Sequence, residues 1–218
     1  MIAARPALGR RGVVAGAARD AAYVDADGFV VVLTVTPPVL PNGVQVARLP
    51  AVGTEVVARA DEVWDPALRL VDAPAGAAGD DELVRAVESR DPSVAASVGV
   101  RLIGRGPGLT PEGDDVACGV AAVIAAGDWP GALREAWVRA LIGGDLRRRT
   151  TALSATLLEL AAAGMGPEPL QAWLAGDAGA RECLVRIGHS TGRAIARGAA
   201  AGLSGVGMRH QMTPEPLV

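Results

Sequence analysis

Residues 28–49 read GFVVVLTVTPPVLPNGVQVARL, and this stretch decides the fold class. Residues 28–36 form a β-branched, apolar run bounded by Asp27 and by Pro37-Pro38, the pattern of a buried strand. Pro41-Asn42-Gly43 is turn chemistry, because proline presets its own φ while Asn and Gly tolerate positive φ. Residues 44–49 then alternate apolar and polar, and residues 55–63, after Gly53, do so more loosely. Three or four antiparallel strands follow, forming a small sheet or partial barrel over residues 1–75.

Outward from there the pattern changes period. Residues 72–80 (DAPAGAAGD) carry no periodicity and mark the boundary of the β part. Beyond it the signals are helical. Asp80 or Asp81 caps a helix through Val87, and Asp91-Pro92 opens another with proline at the first helical position. Residues 98–103 read as extended. Further helices are expected at 111–126, 130–142, 147–163, 167–175 and 178–203, the last broken at Gly188-His189. Gly127 and Gly164 stand at helix ends as left-handed terminators. Gly198 and Gly202 give one helix a flat stripe against which a neighbour can pack closely. The expectation is an α+β chain: an N-terminal antiparallel sheet or partial barrel, a C-terminal α-helical bundle over 76–207, and a tail at 208–218.

Composition narrows the function classes. Of 218 residues, half are hydrophobic and only 3% aromatic, so the core is built from Ala, Val and Leu. The 21 basic residues are all arginine, which excludes a lysine-dependent phosphate loop and Schiff-base chemistry. A net charge of −3 argues against nucleic acid as a partner. The longest apolar runs, 29–35 and 116–126, are well short of the roughly 18 residues of a membrane span. Arg10-Arg11 precedes small residues as in an export signal, but Arg19 and Asp20 cut that run short. With two cysteines, Cys118 and Cys183, outside any disulfide or metal pattern, the cytoplasm is the expected compartment.

The chemistry concentrates in residues 104–115, GRGPGLTPEGDD, which empty onto the apolar run VACGVAAVIAA. Three glycines and a proline within five residues leave backbone N–H groups uncovered. Thr110 is placed as N-cap and Pro111 as first helical residue, so the loop ends on a helix N-terminus, the geometry of an anion cradle. Glu112, Asp114 and Asp115 in the first turn are favoured by the helix dipole, which is a structural reason for their presence. In the functional reading, amides of Gly106, Gly108, Leu109 and Gly113, with Arg105 and Thr110, face the same pocket as Asp114 and Asp115. Such a pocket suits a small ligand with an anionic end and an amide or amino end. No cofactor is called for; a divalent ion between carboxylates and phosphate oxygens is the one metal option, and no zinc-type ligand set is present. His189, in the run GHSTG, is either a structural residue at a helix break or a proton carrier. Ser190 or Thr191 caps the helix that follows. Arg147, Arg148 and Arg149 read as a solvated run, or else as guanidinium forks for an anion. Cys118 reads as buried packing.

The string GPGLTPEGDD resembles the signature GPGLTPSGDD of a bacterial family described as oxamate carbamoyltransferase subunit AllH-like, with Glu112 where serine is usual. Residues 24–43, 151–164 (TALSATLLELAAAG) and 188–203 (GHSTGRAIARGAAAGL) are similar, in order, to further segments of that family. The resemblance implies a subunit of a multi-protein enzyme that moves a carbamoyl group between oxalurate and phosphate during allantoin breakdown, with other carbamoyltransferase subunits as partners. The residues themselves offer Asp114, Asp115 and His189 as catalytic candidates, with Arg105, Gly106, Gly108, Leu109, Thr110, Gly113, Ser190 and Thr191 as the substrate- or anion-binding set. A non-catalytic anion-binding or assembly subunit is the alternative.

Overall fold

The computed structural model of the chain describes residues 1–70, 81–177 and 179–207. The boundary expected at 72–80, the cap at Asp80, Ala178 and the tail at 208–218 lie outside these residues. Strands come first: β1 (Ile2–Ala4), β2 (Arg11–Ala17), β3 (Ala21–Ala26), β4 (Phe29–Thr34), β5 (Gly43–Gln45), β6 (Glu55–Val57) and β7 (Glu62–Trp64). Helices follow: α1 (Asp81–Glu88), α2 (Pro92–Leu102), α3 (Glu112–Ala126), α4 (Gly131–Ile142), α5 (Leu146–Arg149), α6 (Ala152–Ala162), α7 (Glu168–Leu174), α8 (Ala180–Leu184) and α9 (Thr191–Gly207). The fold is α+β, as the sequence implies, with the strands in one curled half-barrel of order β6-β2-β3-β4-β5-β1-β7.

The sheet is larger than expected, and mixed. The β4–β5 and β1–β7 pairings are parallel, and the others among the described residues are antiparallel. The proline-rich connection 35–42 returns the chain to the level of Val32 before β5 begins, so β5 runs alongside β4 in the same direction. Asp27 and Gly28, at φ +56° and +81°, close the β3–β4 hairpin, with Ala26 opposite Phe29. Asp-Gly favours that two-residue turn because both positions require positive φ. The looser stretch 55–63 divides into β6 and the start of β7, and the alternation at 44–49 yields only the short β5.

β4 joins the two halves of the molecule. Its alternation sends Val30 and Val32 into the helical core, while Val31 and Leu33 face the concave side with Val14, Val24 and Val44. Val30 lies beyond the reach of β5, so its backbone groups find side chains instead. Its N–H donates to Thr156 Oγ1 on α6 at 2.9 Å, and its carbonyl accepts from Asn42 Nδ2 at 2.8 Å. Both side chains are fully buried, as a central strand with unpaired groups requires.

Among the helices, α3 and α9 pack backbone to backbone. A Cβ on Gly119 would lie 2.1 Å from the Ile195 carbonyl oxygen, and one on Gly198 would lie 1.9 Å from that of Val116. Gly202 meets Val123 and Gly205 meets Trp129 further along, so the two helices run parallel with their N-termini at one end. The flat stripe expected at Gly198 and Gly202 is thus matched by Gly119 on the facing helix.

Three local expectations are corrected. Residues 98–102 are the second half of α2, where Ala95, Val98 and Gly99 are buried; the apolar stretch is a helix face rather than an extended segment. The helix expected over 147–163 is two, because Thr150 takes an extended backbone between α5 and α6. Gly127 ends α3 at φ −93°, not left-handed, whereas Gly164 is at +79°. The Gly198→Ala variant is expected to lose about 2–3 kcal/mol or more, since its Cβ must push two helices apart. Gly131→Ala, with nothing within 4 Å, is expected to change stability by less than about 1 kcal/mol in the same denaturant titration.

Candidate functional site

The loop between α2 and α3 turns on Gly104, Gly106 and Gly108, at φ +76°, +108° and +107°. Side chains rarely adopt that conformation, so the glycines are a requirement of the path and not a composition bias. Arg105, Gly106, Gly108 and Leu109 are exposed, Leu109 at 54%, which leaves the loop backbone at the surface. Its floor is tight. The Gly113 N–H donates to the Arg105 carbonyl at 2.8 Å, and a Cβ on Gly113 would sit 2.1 Å from the Leu102 carbonyl.

The helix start differs from expectation. Pro111 is the N-cap, with no side-chain cap bond, and α3 begins at Glu112. Thr110 does not cap: its hydroxyl donates to Asp115 Oδ2 at 3.1 Å and lies 3.0 Å from Thr191 Oγ1, the first residue of α9. The parallel packing of α3 on α9 is what makes this meeting possible.

Both aspartates are buried, at 0% and 1% exposure, yet they are held differently. Asp114 is fully employed within the fold: Oδ1 accepts the Gly104 N–H at 2.7 Å, and Oδ2 accepts the Thr150 hydroxyl. Asp115 is underserved. Burial pushes its carboxyl up to about 7, against the pull of hydrogen bonds from Thr110 and Thr191, and the neighbouring Asp114 and Glu112 charges push it further. A hydroxyl carries one proton, so the chain has two polarities. With Asp115 ionised, the hydroxyls of Thr110 and Thr191 both donate toward it. With Asp115 protonated, the acid donates to Thr110 and the order runs outward. Thr110 and Thr191 are both half-buried, so this chain reaches toward the surface.

The break between α5 and α6 grips the loop at both ends. Thr150 does so through Asp114 to Gly104, and Thr151 donates to the Leu109 carbonyl at 2.8 Å while accepting the Ser154 N–H at 3.1 Å to cap α6. Sequence reading placed both threonines inside one helix and missed them; the Thr-Ala-Leu-Ser spacing of a helix cap after a basic run is the signal that was there.

The other candidates sit as follows. His189 is exposed on the turn between α8 and α9, its carbonyl accepting from the Arg193 guanidinium, and it is not part of the Asp115–Thr110–Thr191 chain. Ser190 is half-buried, and its carbonyl accepts the Ala194 N–H at 3.0 Å to start α9. Arg147 and Arg148 of the arginine run are exposed and Arg149 is half-buried, and each guanidinium has a partner within the fold. Arg147 forks onto Glu159 at 2.7 and 3.1 Å and donates to the Gly28 carbonyl, Arg148 pairs with Asp145, and Arg149 donates to the Gly143 and Ala140 carbonyls at the end of α4. Arg197 of α9 pairs with Glu112 at 3.0 Å, a second tie between the two helix starts. Cys118 is buried, and burial foremost, with the Asp115 and Asp114 charges, pushes its thiol well above its usual range. Among the described residues no group of three His, Cys, Asp or Glu side chains is placed to hold a metal ion, and no helix is long and apolar enough to cross a membrane.

These features define an α+β chain with an exposed glycine loop set over a buried carboxyl–hydroxyl chain, at the joint N-termini of two helices. Residues 102–203, from the end of α2 nearly to the end of α9, match the family model described as Oxamate carbamoyltransferase subunit AllH. The likeness read at residues 24–43 falls outside the matched span. No curated protein and no solved structure matches the chain.

The carboxyl of Asp115 makes a stability prediction. Its value of about 7 in the folded chain exceeds the ordinary 3.8, so the native state keeps a proton that the unfolded chain releases. The stability tied to that proton is complete below the ordinary value and is lost as pH rises through 7. Asp115→Asn removes the titration, so its unfolding free energy is expected to gain on the wild type by roughly 2–3 kcal/mol between pH 5 and pH 8. A difference independent of pH in chemical denaturation contradicts it.

Proposed function

We propose that this chain is a subunit of a carbamoyltransferase and that the loop at 104–115, with the start of α9, receives a small ureido or amide acid. Support comes from the family match over 102–203 and, chiefly, from one observation: Asp115 lies buried beneath the glycine loop with a carboxyl near neutrality. Among structural carboxylates at a helix start, full ionisation is the norm, and a group poised near working pH is suited to proton transfer.

The chemistry is exchange of a carbamoyl group between oxalurate and phosphate. A phosphate oxygen attacks the terminal ureido carbonyl, a C–O bond forms, the C–N bond to the oxamate nitrogen breaks, and that nitrogen takes up the proton which hydrogen phosphate gives up. The products are carbamoyl phosphate and oxamate. Charge builds on the carbonyl oxygen in the tetrahedral state, and the N–H groups of Gly106, Gly108 and Leu109 are the donors offered to it. Arg105, exposed and in no ion pair among the described residues, is the cation for the phosphate. Asp115 takes and returns the proton through the hydroxyls of Thr110 and Thr191. Asp114 is a positioning residue that fixes the start of the loop, and Gly113 lets α3 close beneath it. His189 and Ser190, on the turn before Thr191, are the second candidates for carrying the proton and for touching substrate. The large partner subunits of such an enzyme complete the site, in the cytoplasm and in the service of allantoin breakdown.

A second reading is an anion-binding subunit without chemistry of its own. It is favoured by the depth of both carboxylates and by the internal bonds that occupy Asp114. The readings part on one experiment, carbamoyl transfer by the complex reconstituted with its partner subunits. Asp115→Asn is expected to lower kcat by about 10²–10⁴-fold, with KM little changed and with the pH dependence near neutrality removed. A kcat within about threefold of wild type, in a variant that still assembles, contradicts a role in proton transfer and leaves the binding reading.

A further inference from the structure

The half-barrel presents a second chemistry on the face of β4 turned away from the helices. Among the described residues seven strands curl without closing, with β6 and β7 at the free edges, and no opposite strand fills the interior. What remains is a cavity of about 240 Å³ whose walls are Val24, Val31, Leu33, Val44, Val46 and Val56. An apolar cavity of about 150 Å³ is enough to hold benzene, so this one has room for a small organic molecule. Its charge is one-sided: Arg10, Arg48 and Arg59 line it together with Met1, and among the described residues no Asp or Glu does.

Two of these cations are engaged. The Met1 ammonium pairs with Asp61 at 3.1 Å; Arg10 lies 3.5 Å over the Phe29 ring and donates to the Pro6 carbonyl at 2.8 Å. Arg48 and Arg59 make no ion pair with a described residue, and both are exposed at the mouth. An apolar chamber under guanidinium forks fits neither a cation nor a wholly polar guest.

We propose that the concave face of the half-barrel binds a small amphipathic carboxylate, its head on Arg48 and Arg59 and its aliphatic body against the valines of β3, β4 and β5. The site shares no lining residue with the loop, and nothing in it depends on the carbamoyltransferase reading. The test is calorimetry and thermal denaturation of the full chain with hexanoate, beside hexylamine, acetate and inorganic phosphate. Hexanoate is expected to bind and raise Tm, acetate and phosphate to bind at least about tenfold more weakly for want of the apolar body, and hexylamine not to bind. Arg48→Gln with Arg59→Gln, surface changes that leave the core intact, is expected to weaken hexanoate at least about tenfold, and Val46→Trp to block it. The proposal is overturned by any one of three results: no hexanoate binding at millimolar concentration, hexylamine binding as tightly, or an affinity unmoved by the arginine changes.

Discussion

Between Gly119 and Gly198 the backbones of α3 and α9 touch, closer than any side chain allows. Because the contact is parallel, it brings two helix N-termini to one place. The glycine loop that leads into α3 and the turn that leads into α9 therefore share a surface, and Thr110 reaches Thr191 across a sequence gap of 81 residues. Without that contact, Asp115 has the first turn of an ordinary helix around it and open water above. With it, the carboxyl is enclosed by hydroxyls from both starts.

That enclosure sets two electrostatic effects against each other. Two converging helix N-termini favour a negative charge, by about 0.3–1 kcal/mol each where exposed. Removal of a carboxylate from water costs more, and Asp114 and Glu112 add like charge. Desolvation wins at Asp115, and its carboxyl stands near neutrality. Asp114, one residue earlier, is spent on holding Gly104 and Thr150. Adjacent aspartates thus carry different burdens: one fixes the loop, the other is left able to change its charge.

Much of this was legible in the sequence where the cause is local. Asp91-Pro92 opens α2 because Asp91 Oδ1 accepts the Ser93 N–H and proline needs no partner there. The loop glycines, the break at Gly188-His189 and the stripe at Gly198 follow from backbone chemistry of the same kind. β2 and β3 were hidden because RGVVAGA and AAYVDA are built from small residues with little strand preference, and hairpin pairing through Asp27-Gly28 makes up for it. The parallel β7 pairing depends on a partner, β1, some 60 residues away along the chain. So does the break at Thr150, which pairs with an aspartate 36 residues away. Thr110 looked like a cap by position, and only the arrival of α9 assigns its hydroxyl elsewhere.

The central claim is that Asp115 changes charge near neutral pH in the folded chain. Its carboxyl carbon shift, followed by NMR from pH 3 to pH 9 with Asp115→Asn as the assignment control, reads that directly. A midpoint near 7 is predicted, moving upward in Thr191→Val because that hydroxyl now holds it down. A midpoint near the ordinary value of about 4, unmoved by loss of the hydroxyl, contradicts the account.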